Sequence, residues 1–187
     1  MSDLTKRLFI AINVPHEIQL EASEACSYFT HKGLFKGRCI PAENLHLTLK
    51  FLGDLELDQI PMIHEILSKI SMHSFTITLG NLGAFTTNHI IKILYFDLIS
   101  HWLPELARTI DYALEPIVPR EERPFVSHVT LARIKSVADK NHFFKEVERY
   151  HMQKLQFKVT EFVLMESVLT SEGPLYKIVE RYPLRAS

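Results

Sequence analysis

Residues 46–53 read HLTLKFLG and residues 128–135 read HVTLARIK. Each opens His-x-Thr-Leu with an apolar residue at x. In an extended chain successive side chains alternate faces, so residues two apart share one. His46 and Thr48 therefore point one way, while Leu45, Leu47 and Leu49 point the other, into a core. His128 and Thr130 stand in the same relation to Val129 and Leu131. A lone histidine on a strand reads as a hydrogen-bonded structural residue, and threonine is a common strand former. Two such motifs ask for more.

The surroundings of the motifs also repeat. His46 to Phe75 spans the same 29-residue step as His128 to Phe157, and these phenylalanines open FTITL and FKVTEF. Each half reads as motif strand, helix, strand and partner strand. The fold expected is α+β: two pseudo-twofold-related lobes, each a mainly antiparallel sheet with helices outside, in a single bilobal domain over 1–187. The motifs should meet in the cleft between the lobes.

Around them, RLFIAINVP reads as an opening strand ended by Pro15, and residues 15–30 as a helix. Residues 31–44, with two glycines and a proline, read as a loop carrying His31, Lys32, Lys36 and Arg38. A strand ended by Gly53-Asp54, a helix over 57–70 and a hairpin of SFTITLGNLGAF with NHIIKILYFDL follow. Then come a helix over 101–114, the second motif strand, a helix near 138–150, a strand over 155–169, a turn at SEGP and a last strand LYKIVERY.

Composition narrows the function. The chain has 187 residues, 47% hydrophobic and 23% charged, with formal net charge −1. No global field draws nucleic acid, so an anionic substrate must be attracted locally. The apolar runs are too short to span a bilayer or form a signal peptide, so a cytoplasmic monomer that does not touch membrane is expected. Cys26 and Cys39 are isolated and read as two free thiols. No metal-ligand spacing occurs, and neither a metal nor a cofactor is expected. His31, His64, His73, His101, His142 and His151 read as surface residues.

Two imidazoles and two hydroxyls in one cleft suit acid–base chemistry near neutral pH. One imidazole takes a proton from water and the other gives one to a leaving oxygen. The threonine hydroxyls donate to oxygens that gain charge. This set suits opening of a strained cyclic phosphodiester better than acyl transfer.

HLTLKFLG and HVTLAR resemble the paired motifs of the two-histidine phosphoesterases, in the bacterial and archaeal RNA 2′,3′-cyclic phosphodiesterase branch, also described as 2′–5′ RNA ligases. RLFIAINVP, RPFVSHVTLAR and the Ser-x-Leu, Gly and Tyr pattern of ESVLTSEGPLYKIVERYPL are similar to family segments along nearly the whole chain. Ser127 stands where the family usually has proline. The resemblance implies metal-independent hydrolysis of RNA ends, or of nucleotides, with a 2′,3′-cyclic phosphate to a 2′-phosphomonoester. His46 would be the proton donor and His128 the proton acceptor, with Thr48 and Thr130 on the phosphate. Phe51 and Arg133 would hold the nucleobase, an aromatic face and a guanidinium plane being able to sandwich it. Each lies five residues past its histidine, an odd offset, so each needs a break in strand alternation to reach the cleft. A 2′–5′ RNA ligase, a small cyclic-nucleotide phosphodiesterase and a non-catalytic RNA- or nucleotide-binding module are the alternatives. The basic residues of 31–38 would track an RNA backbone.

Overall fold

A computed structural model describes residues 5–171 and 173–186. Met1 to Leu4, Glu172 of the expected SEGP turn and Ser187 lie outside them. The elements are β1 (Thr5–Asn13), α1 (His16–His31), β2 (Lys36–Cys39), β3 (His46–Glu56), α2 (Ile60–Ser68), β4 (Phe75–Thr87), β5 (Ile90–Ile99), α3 (Trp102–Ala113), β6 (His128–Ser136), α4 (Lys140–Arg149), β7 (Gln156–Val159), β8 (Glu161–Thr170) and β9 (Gly173–Pro183). Among the described residues no helix is long and apolar enough to cross a membrane.

The strands form one antiparallel sheet in the order β7-β4-β5-β6-β3-β1-β8-β9, with β2 added along β6. The motif strands β3 and β6 lie side by side at its centre, joined at Leu47 and Val129. On either side the order matches in type: β5 then β4 beyond β6, and β1 then β8 beyond β3. The sheet curls. β7 runs into β8 across Thr160, yet β7 pairs with β4 and β8 with β1. The Phe75 and Phe157 positions belong to that β4–β7 pair, where Ile77 faces Phe157 and Phe75 faces Val159.

Alternation in the motif strands builds the core. Leu47, Leu49, Val129 and Leu131 are buried with Phe29 of α1, Ile63 of α2, Ile110 of α3 and Phe143 of α4 in one apolar cluster. Burying each such large side chain is worth roughly 1.5–3 kcal/mol. The helices thus cover the face opposite the His–Thr pairs. α1 stops at a Gly33 with φ +64, and Leu34 N–H donates to the Phe29 carbonyl at 3.0 Å, the bond that closes a left-handed helix cap. Asp139 caps α4 by accepting from His142 N–H at 2.9 Å.

Four expectations change. The 31–44 loop contains the short strand β2, because β6 offers its free edge there. The first motif strand runs past Gly53-Asp54 to Glu56, in ladder with the start of β1. The 155–169 strand is broken at Thr160, so that its two parts can serve opposite sides of the curl. Cys26 and Cys39 form a disulfide, their Cα atoms 6.1 Å apart, because α1 brings one beside β2, which carries the other. The six histidines read as surface residues are exposed.

Candidate active site

A cavity of about 590 Å³ opens on the sheet face opposite the helices. His46, Thr48, Phe51, His128, Thr130 and Arg133 all line it. For the four motif residues simple alternation suffices: each histidine and threonine is half-buried and each is followed by a buried apolar residue.

Phe51 and Arg133 arrive by a bulge, and the same one twice. In the β1–β3 ladder Ala11 pairs with Thr48 and Ile10 with Lys50, so Leu49 is the extra residue. In the β5–β6 ladder Tyr95 pairs with Thr130 and Leu94 with Ala132, so Leu131 is extra. Two consecutive residues then point inward, Leu49 with Lys50 and Leu131 with Ala132. Alternation changes phase, and the next residue in each strand turns to the cavity. Phe51 is 64% exposed there, which separates it from the core.

The two imidazoles are held alike. His46 Nδ1 lies 2.7 Å from the Asn44 carbonyl oxygen, and His128 Nδ1 lies 2.8 Å from that of Val126. A carbonyl can only accept, so each Nδ1 carries hydrogen and Nε2 is left to gain and lose a proton. Ser127, at the family's usual proline position, uses its carbonyl to accept from Leu98 N–H at 3.0 Å, which fixes the chain entering β6.

Each ring also sits in its own aromatic surround. Phe9 and Tyr176 lie 5.0 Å from the His46 ring, centroid to centroid. Phe85 and Tyr95 lie 4.9 and 5.5 Å from the His128 ring. Phe51 joins the first group through Phe9, at 6.2 Å. Gly83 makes room for the Tyr95 ring, a carbon of which lies 2.8 Å from where a β-carbon would stand.

The electrostatics differ between the two halves. Burial holds the His46 imidazole below its ordinary value, against the pull of the Asn44 carbonyl, and the positive fields of His128 and Arg133 add to the lowering. Across the ladder from His46 stands the neutral Asn13, whereas across from His128 stands Asp97. Burial raises the Asp97 carboxyl, and the charge of His128 opposes that rise. Among the described residues no group of three or more His, Cys, Asp or Glu side chains is placed to hold a metal ion.

Sequence reasoning missed part of the wall. The missed residues include Phe9, Arg7 and Ile93, which come from flanking strands. Of the closing pattern, Ser167, Leu169 and Tyr176 reach the cavity. Among the basic residues of 31–38 only Arg38 lines it, while Lys32 binds Glu146 on α4 at 2.5 Å.

Two segments of the chain, residues 12–95 and 99–176, match the LigT-like phosphoesterase family, one around each motif. The chain belongs to that family. It is 28% identical to the RNA 2′,3′-cyclic phosphodiesterase of Methanocaldococcus jannaschii over 94% of this chain and 99% of that one. It is 30% identical to the enzyme of the same name from Thermotoga maritima over 92% of each. The structure of Escherichia coli LigT in apo form superposes with a TM-score of 0.79 at 26% identity, covering 96% of this chain and 98% of that one. This LigT-like chain thus matches those relatives over more than nine-tenths of its length.

Proposed function

We propose that the protein hydrolyses RNA 2′,3′-cyclic phosphate ends to 2′-phosphomonoesters by a two-histidine mechanism that needs no metal. The observation that carries the reading is the matched pair of imidazoles, each fixed through Nδ1 to a backbone carbonyl, on one cavity with Thr48 and Thr130. The relatives' shared name supplies the substrate class.

In the reaction His128 Nε2 takes a proton from water as the water oxygen bonds to phosphorus. The P–O3′ bond breaks, and His46 Nε2 gives its proton to O3′. The phosphate stays on O2′, and exchange with solvent restores both imidazoles. Such general acid–base roles are typically worth about 10²- to 10⁴-fold each. Thr48 and Thr130 hydroxyls donate to the non-bridging oxygens as charge builds there. The assignment of roles rests on the asymmetry across the ladder: the imidazolium formed at His128 faces the Asp97 carboxylate, and His46 has only Asn13. A bound phosphodiester anion raises His46 from its lowered value in the free protein, which favours the donor form. Phe51 and Arg133 hold the terminal base, and the protein acts as a monomer.

The test is incubation with an RNA oligonucleotide ending in 2′,3′-cyclic phosphate, in the presence of EDTA, with identification of the terminal phosphate. A 2′-phosphate is expected. A 3′-phosphate contradicts the leaving group, and absence of turnover contradicts the activity. His46→Ala and His128→Ala are each expected to abolish turnover with circular dichroism unchanged.

A further inference from the structure

The cavity carries more positive charge than the reaction at its centre uses. Arg7, Arg38 and Arg133 line it with the two histidines, and among the described residues no carboxylate does, although the chain as a whole has net charge −1. Arg7 has Asp54 opposite it in the β1–β3 ladder. Arg38 has Arg133 opposite it in the β2–β6 ladder, and both are exposed. Among the described residues neither guanidinium has a hydrogen-bond or ion-pair partner. Like charges directly opposite on neighbouring strands repel and destabilise the pair.

The fold nevertheless holds them together. A β-carbon on Gly37 would collide with the Arg133 carbonyl oxygen, so β2 is drawn close against β6. The Cys26–Cys39 disulfide ties the residue next to Arg38 to α1. From that fixed strand Arg38 reaches toward the β8–β9 turn, its Nη1 3.9 Å from where a β-carbon on Gly173 would stand. Two guanidiniums kept at strand spacing beside an open cavity, with no partner among the described residues, form a place for an anion. The reactive phosphate already has the two histidines and two threonines.

We propose that Arg38, reinforced by the field of Arg133, is a second anion subsite that takes the phosphodiester preceding the reactive end. The protein then selects a 2′,3′-cyclic phosphate on a chain of at least two nucleotides over a cyclic mononucleotide. This inference rests on the hydrolytic reading above and names the substrate that the same site prefers.

The experiment measures kcat/KM for three substrates with the same terminal base: a nucleoside 2′,3′-cyclic phosphate, a dinucleotide ending in 2′,3′-cyclic phosphate, and that dinucleotide with an uncharged methylphosphonate linkage. Wild-type protein is expected to favour the charged dinucleotide by about ten- to a hundredfold, the range of one charge-assisted contact. Arg38→Gln is expected to remove that advantage through KM, leave the mononucleotide unchanged, and be indifferent to the methylphosphonate. Arg38→Lys should recover part of the preference. The salt dependence of the dinucleotide should be steeper than that of the mononucleotide by a slope of about 0.7, one phosphate contact. Equal wild-type rates on all three substrates, or an Arg38→Gln loss shared by the mononucleotide, would overturn the subsite while leaving the hydrolytic reading intact. Failure of the hydrolytic reading is distinct: wild-type protein would then turn over none of the three.

Discussion

Lys50 Nζ and Asp111 Oδ1 lie 2.5 Å apart behind the cavity, with the lysine side chain 1% exposed. Lys50 is the second inward residue of the β3 bulge, and it also donates to the Pro119 carbonyl at 2.9 Å. The matching position in β6 is Ala132. In β3 the bulge therefore anchors the segment after α3, while in β6 it is merely filled. Lys50→Ala would leave Asp111 with little solvent and, among the described residues, only Arg120, 3.6 Å away, as a cation. Loss of one partner of a buried pair costs about 3–5 kcal/mol. Urea unfolding should show a midpoint lowered accordingly, and Lys50→Met should lose less than Lys50→Ala because its side chain fills the space.

The pH profile should report the state of His46. Its value is lowered from the ordinary 6.5 by burial first, and by the charges of His128 and Arg133. A proton donor works only when protonated, so kcat/KM, which reports the free protein, should fall as pH rises through a value below 6.5. In the complex the phosphodiester charge raises His46, so the alkaline limb of kcat should lie at higher pH. Asn13→Asp places a carboxylate opposite His46 and should move the kcat/KM limb upward. A limb that stays put in this variant would remove His46 from the donor role.

Asp97 stands opposite His128 in the β5–β6 ladder, and its charge is expected to steady the imidazolium there. Asp97→Asn keeps the shape and deletes the charge that faces the imidazolium formed during reaction. A loss of about tenfold in kcat is expected, equivalent to one pKa unit of interaction, with KM unchanged. A change in KM alone would place Asp97 in substrate binding instead.

Phe51→Ala separates site from core. With its ring 64% exposed, the change should leave stability within about 0.5 kcal/mol of wild type. Stacking on a base is worth about 1–3 kcal/mol, so KM should rise by about fivefold or more with kcat retained.

The α1–α4 junction is expected to contribute to stability toward acid. Hydrogen bonds from Lys32 Nζ at 2.5 Å and Tyr28 Oη at 2.6 Å pull the Glu146 carboxyl down to about 2 from 4.5. Its folded value lies below its unfolded value, so its contribution is complete above about 4.5 and is lost as pH falls toward 2. Glu146→Gln should flatten stability against pH in that window, measured by denaturant unfolding at successive pH values.

Much of the centre was legible in the sequence. HLTLKF and HVTLAR place His and Thr on one face because two-residue alternation is built into extended backbone. The equal 29-residue steps fell on strands that pair with each other, β4 and β7. Part of the wall of the cavity was not legible. Phe9 and Tyr176 reach His46 from β1 and β9, and Phe85 and Tyr95 reach His128 from β4 and β5. Tyr176 belongs to the closing pattern that the resemblance marked, but nothing in their own segments sets Phe9, Phe85 and Tyr95 apart from ordinary strand residues. The pairing of Cys26 with Cys39 likewise depended on where α1 lies against β2.

The sequence by itself determined two imidazole–hydroxyl pairs, their common facing and their repetition, since these follow from side-chain type and local periodicity. Tertiary structure alone decided the phase change at Leu49 and Leu131 that turns Phe51 and Arg133 to the cavity. It alone set Asp97 against His128 and Asn13 against His46, and drew Arg38 beside Arg133. Bulges and cross-strand partners belong to the register between strands, which long-range pairing fixes and one strand's own alternation does not.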